Sequence, residues 1–208
     1  YAYGNQPSIA LWNLTRLAEC LLPLLSHDED AAVDEAKEAL SAFRPAFEQS
    51  YQAGLRRKLG LFSEREGDAT LARDLLHAMA ANRADFTLTF RRLADAALDP
   101  ARDSEVRSLF ADGAAYDEWT VRWRQRLEQE PAKAAERRAA MRAVNPAFIP
   151  RNHRVEAIIR AGVEREDFAP FEELLTVLSR PFEDQPEYAS YQQPPQEHER
   201  VLQTFCGT

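Results

Sequence analysis

Apolar residues recur along this chain at helical spacing, and no stretch alternates apolar and polar positions over a useful strand length. From Ser8 the run IALWNLTRLAECLLPLL is apolar on more than one face: Ile9, Trp12, Leu17, Leu21 and Leu25 are joined by Leu11, Leu14 and Leu22. A helix of this kind is usually buried in a larger assembly, and Pro23 should kink or end it. Cys20, inside the run, reads as a small core residue. Ser26 followed by Glu29 predicts a capping box. Val33, Ala36, Leu40, Phe43, Phe47, Tyr51, Leu55 and Leu59 then hold one stripe that Pro45 should bend but not end, because the pattern resumes in register. Gly60 and Gly67 bracket a loop. Asp68 is expected to cap a helix with Leu71, Leu75 and Met79 inward. Asp85 should open another with Phe86, Phe90, Leu93 and Ala97 inward, and the two should pair antiparallel.

Asp99-Pro100 stops that pair, and a short turn over Glu105–Phe110 ends near Gly113. Tyr116, Trp119, Trp123 and Leu127 mark a further amphipathic helix, with Pro131 placed as the first residue of the next. In NPAFIPRNHRVEAIIRA, Pro146 and Pro150 keep Asn145 and Ile149 out of the helical region, so the backbone must turn there. Phe148 and Ile149 should plug into a core. Asn152 should cap a helix whose buried stripe is Val155, Ile158 and Ile159. Asp167 should cap a last helix, with Phe168, Phe171, Leu174, Leu175 and Leu178 inward. From Pro181 the run PFEDQPEYASYQQPP holds four prolines and three aromatics, which predicts an extended strap that packs by its rings. The expected fold is all-α over residues 1–181, with a strap over 182–208.

Low glycine content and abundant Ala, Leu, Glu and Arg agree with helix. A formal net charge of −8 argues against general binding to nucleic acid or an anionic membrane. No apolar run approaches the roughly 20 residues that span a bilayer, so no membrane span is expected. Two distant cysteines, Cys20 and Cys206, do not make a disulfide framework, which points to a reducing, cytoplasmic setting. The first residue is tyrosine, and the opening reads as a piece of something longer. Between Thr120 and Arg154 nine basic residues face three acids, reversing the sign of the whole chain. They read either as a solvated face paired with acidic helices elsewhere or as a basic wall near a phosphate-bearing ligand.

Little chemistry is visible. His27, His77, His153 and His198 are scattered and none stands at metal-ligand spacing. No glycine-rich phosphate loop or serine elbow is present. Cys206, near the end of the chain, is a candidate exposed thiol.

Four runs in order resemble the selenoprotein O family, pseudokinase-fold enzymes that transfer AMP from ATP to protein hydroxyls. They are YAYGNQPSIALWNLTRLAECLLPLL, DFTLTFRRL at Asp85–Leu93, VNPAFIPRNH at Val144–His153, and LLTVLSRPFEDQPEYASYQQPP at Leu174–Pro195. The resemblance implies that this chain is the helical C-terminal part of a kinase-like C-lobe. It also implies that the metal-binding Asp-Tyr-Gly segment and the residues holding ATP and magnesium lie before Tyr1. No catalytic, cofactor-binding or metal-binding residue carries over onto this chain. Cys206 does carry over, as the redox position that is selenocysteine in some members, and its partner would lie in the missing catalytic part. Cys20 departs from the pattern.

The chain is therefore expected to complete the C-lobe, buttress the cleft and carry the redox tail. Its partners would be the missing N-terminal catalytic part and, through it, protein substrates. Alone it should be inactive. The rival is a self-sufficient helical interaction module without catalysis. A contiguous exposed apolar face over Ile9–Leu25 favours the first reading, and a closed polar surface there the second. A further possibility is that the missing half exists but is separately cleaved.

Overall fold

The computed structural model describes residues 3–201, and these are all-α, with ten α-helices, four 3-10 turns and no strand among the described residues. The chain divides into two compact units, one up to Leu55 and one from Arg56 onward.

In the first unit a 3-10 turn (Tyr3–Asn5) leads into α1 (Gln6–Leu25), with Pro7 in its first turn, where a missing N–H costs nothing. α1 runs through Pro23 to Leu25. Asp28 caps α2 (Glu29–Ser41) by accepting from the Ala31 amide at 3.1 Å. Ser26 instead accepts from the Asp28 amide at 3.0 Å, so the capping role lies two residues later than expected. α2 packs along α1 through its small residues Ala32 and Ala36, which are buried. α3 (Phe43–Lys58) follows with only Ala42 between, and Ala42 keeps helical dihedrals. The pattern over Pro45 is thus a helix broken at one residue. Phe43, Phe47 and Tyr51 stack successively along α3, with centroids 6.2 and 5.9 Å apart, but Phe47 and Tyr51 lie at the surface.

The second unit holds the main core. α4 (Asp68–Ala81) packs on α7 (Gly113–Leu127), and α5 (Phe86–Leu98) packs on α8 (Ala134–Val144) and on α6 (Asp103–Arg107). The expected α4–α5 pair is replaced by these two. The reason is the tryptophans of α7. Trp119 and Trp123 are buried and stacked 5.4 Å apart; their indole N–H groups donate to the carbonyls of Leu71 and Leu59, each at 2.9 Å. Large rings with satisfied polar handles dominate a core of this size, and they draw α4 to α7.

Several helix starts differ from expectation. Gly67, at φ 92°, precedes α4, and Asp68 is the first helical residue. Gly60 (φ 75°) is required twice over, because an added Cβ would also sit 2.7 Å from the Met141 sulfur. Asp85 does cap α5, accepting from Leu88 at 2.8 Å. Asp112 caps α7, so Gly113 opens a helix and does not close one. Pro131 lies before α8, which starts at Ala134.

α9 (Asn152–Arg165) and α10 (Ala169–Leu178) complete the helices. Asn152 is exposed and makes no cap hydrogen bond; the residue before α9 is Arg151. Of the predicted α9 stripe, Ile159 is 52% exposed and the buried positions are His153 and Ala161. Beyond α10, residues Pro186–Gln192 and Glu197–Glu199 coil into 3-10 turns, so the segment after Pro181 is not extended throughout.

Candidate functional site

The region that gathers the second unit is the non-helical joint between α8 and α9. Ala147 and Phe148 are buried with Val177 of α10, and Leu178, Tyr188 and Tyr191 pack against them. The amides of Ala147 and Phe148 both donate to the Pro181 carbonyl, at 2.8 and 3.1 Å. Prolines on either side prevent helical pairing here, and this bifurcated bond supplies the amides' partner instead. Asn145 is fully buried. Its side-chain amide donates to the Lys58 carbonyl at 2.9 Å, while the Lys58 ammonium donates to the Val144 carbonyl at 2.9 Å and to Asn145 Oδ1 at 3.1 Å.

A lattice of arginines and aspartates surrounds the joint. Arg91 of α5, almost wholly buried, donates to the Asn145 carbonyl at 3.0 Å and to Asp184 Oδ1 at 2.6 Å. Arg142 of α8 takes the other Asp184 oxygen and also meets Asp95 at 3.1 Å. Arg138 binds the second Asp95 oxygen at 2.6 Å. Next to this clamp, the buried Gln185 amide donates to the carbonyls of Val177 and Arg180. Further on, Arg154 donates to the Ser190 carbonyl at 2.9 Å and lies over the Tyr191 ring, and the Tyr191 hydroxyl donates to Glu173 at 2.6 Å. Burial, reinforced by that acid, pushes the Tyr191 phenol up to about 12. Burial alone would raise the Asp184 carboxyl, but the hydrogen bonds from Arg91 and Arg142 outweigh it and hold the group below its ordinary range. The segment after Pro181 is thus pinned at its base by charge and along its length by rings.

The basic excess between Thr120 and Arg154 is largely spent within the fold. Arg122 meets Asp74, Arg124 meets Asp103, and Arg151 grips both oxygens of Asp85 at 2.7 and 3.1 Å. Arg126 meets Asp68 at 2.7 Å and Glu130 at 2.6 Å, with all three buried. Glu130 in turn accepts from the Phe62 and Ser63 amides and the Ser63 hydroxyl, which fixes the loop before α4. Arg137 donates to the Leu127 and Ala132 carbonyls. Pairing with acids accounts for Arg122, Arg124, Arg126, Arg138, Arg142 and Arg151, but the face is not solvated throughout, since Arg126, Arg137 and Arg151 are buried.

His153 is buried beside the joint, and its Nε2 has no hydrogen-bond partner. Burial first, then Arg154 and Arg151, pull its pKa below the ordinary value, with Glu199 opposing in part. It borders a cavity of about 480 Å³ between Pro150–His153 and Pro195–Val201. The two cations there are already matched, Arg151 by Asp85 and Arg200 by Glu197 at 3.7 Å. Among the described residues no cluster of His, Cys, Asp or Glu could hold a metal ion. Cys206, the predicted redox residue, lies outside the described residues. Cys20 is a free thiol at the surface, not the core residue expected. It stands one turn from Leu17 and from Leu24 on the outer face of α1, because α1 turns its Leu11–Thr15–Leu22 side inward.

Large apolar side chains are exposed around much of α1: Ile9, Trp12, Leu14, Leu17, Leu21, Leu24 and Leu25, with Leu24 exposed to 81%. By length and composition alone α1 is also long and apolar enough to cross a membrane, which the expectation of no such run did not allow for. Arg16 and Glu19 pair at 2.5 Å in its middle.

Residues 1–179 match the family model described as protein adenylyltransferase SelO. The chain belongs to this family. It is 64% identical over all 208 of its residues to the protein nucleotidyltransferase YdiU of Bradyrhizobium diazoefficiens, covering 42% of that relative. The YdiU proteins of Rhodopseudomonas palustris strain BisB18 and Methylorubrum extorquens strain PA1 are 65% and 62% identical, with 42% and 43% of their lengths covered. The chain therefore spans less than half the length of these relatives.

Proposed function

We propose that this chain is the helical C-terminal portion of a protein adenylyltransferase, an enzyme that transfers AMP from ATP to Ser, Thr or Tyr hydroxyls of proteins. In this reading the nucleotide and magnesium sites belong to the part of the longer polypeptide that the chain lacks. The chain completes a kinase-like C-lobe, supports the catalytic cleft, and carries a tail whose redox residue is Cys206. The carrying observation is the exposed side of α1, which bears seven large apolar side chains and buries none of them. Such a face is costly in water and marks a surface built to be covered. The mid-helix Arg16–Glu19 pair argues for a protein cover over a bilayer, since a charge at the bilayer centre costs about 2.5–3.5 kcal/mol on insertion scales. The arginine–aspartate clamp at Asp184 would hold the base of the tail while its end reaches the catalytic part. A cytoplasmic setting suits an unpaired surface thiol at Cys20.

Maleimide labelling of Cys20 tests the cover. It should be fast in the 208-residue chain and strongly slowed in the full-length polypeptide, where Leu17 and Leu24 are covered. Equal rates in the two would leave α1 uncovered and defeat the reading.

A further inference from the structure

The stripes of α9 and α10 do not all face inward. Ile159, Val163, Phe168, Phe171 and Leu175 are each more than half exposed, Val163 to 79%, while the same two helices bury His153, Ala161, Leu174 and Val177. The turn between the helices brings the stripes together. Glu166, in the left-handed region at φ 53°, closes α9, and the Phe168 ring folds back to within 3.4 Å of where a Cβ on Gly162 would stand. Five large side chains exposed to this degree leave on the order of 400–500 Å² of apolar surface, as much as the largest patch on a typical monomer.

The length of polypeptide outside this chain decides what covers the patch. A second copy would have to meet the whole rigid-body cost of association from this face. A covalently linked part of the same polypeptide escapes most of the rigid-body cost of association, and a patch of this size is enough for it. The relatives offer such a part, since this chain covers only 42% of their length.

We propose that the exposed face of the α9–α10 hairpin is a second docking surface for the catalytic part of the full-length polypeptide, distinct from the outer face of α1. Exposed Glu164, Glu166, Asp167 and Glu172 outnumber exposed Arg160 and Arg165 in the same turns, so the matching surface is apolar with a net basic rim. This rests on the reading of the chain as a C-terminal portion.

The test is photo-crosslinking in the full-length polypeptide, with p-benzoylphenylalanine replacing Phe171 or Leu175, and separately Leu24 on α1. All three positions are exposed here, so the replacements leave this fold intact. The expected products are crosslinks within one polypeptide, from Phe171 and Leu175 to peptides outside these 208 residues. The inference is overturned if both probes crosslink only between copies, only to a protein substrate, or not at all, while the Leu24 probe still reaches outside. If the Leu24 probe also fails, the reading of the whole chain falls with it.

Discussion

Arg91 and Asp184 stand 93 positions apart in sequence and meet at 2.6 Å, joining the middle of α5 to the first turn beyond Pro181. Arg142 holds the second carboxylate oxygen, so one aspartate ties α5 and α8 to the base of the C-terminal segment. Asp184→Ala should therefore loosen that segment more than the helices. Because Asp184 is half exposed, the loss is discounted to about 1–2 kcal/mol. Urea unfolding measures it. Proteolysis should cut faster beyond Arg180 in the variant, and unchanged stability with unchanged cleavage would contradict the clamp.

Asp68→Ala should cost more, about 2–3 kcal/mol, because it removes one of the two carboxylates on buried Arg126 and leaves Glu130 alone to hold it. The comparison with Asp184→Ala under one set of conditions is the check. A smaller loss at Asp68 than at Asp184 would mean that burial does not set the rank.

Phe148 is 1% exposed in the joint between α8 and α9. Phe148→Ala should destabilise the chain by roughly 3–5 kcal/mol, as for a fully buried ring. A change below about 1 kcal/mol in urea unfolding would show that the joint is not a core element.

Acid should weaken the same lattice. The carboxyls of Asp184 and Asp85 lie below their ordinary value of 3.8, because hydrogen bonds from arginines, and at Asp85 also from backbone amides, overcome burial. Glu130 lies below its ordinary 4.5, burial being outweighed by Ser63 and Arg126. A depressed acid contributes stability that is fully present above the unfolded value and is lost as pH falls through the folded one. Unfolding free energy should thus be flat just above these ordinary values and drop as pH falls below them. In Asp184→Asn the drop should be shallower, and an unchanged slope would remove Asp184 from the set.

The helices were largely legible because their periodicity is local. Tyr116, Trp119, Trp123 and Leu127 are buried as their spacing predicts, and Asp85 caps as its position predicts. What failed was tertiary. Nothing in a stripe says whether its own chain covers it, and so the periodicity points Ile159, Phe171 and Cys20 inward when they lie outside. Asp68 looks like a cap by position, but a buried Arg126 claims its side chain from far along the chain. The Arg91–Asp184 clamp had no signature at all, since no spacing rule links residues so distant.

Transfer of radiolabelled AMP from ATP tests the central claim most directly. The purified 208-residue chain should incorporate no label into itself or an added protein and should bind no ATP, whereas the full-length polypeptide should do both. Label transferred by the chain alone, and abolished by a substitution within it, would contradict the account.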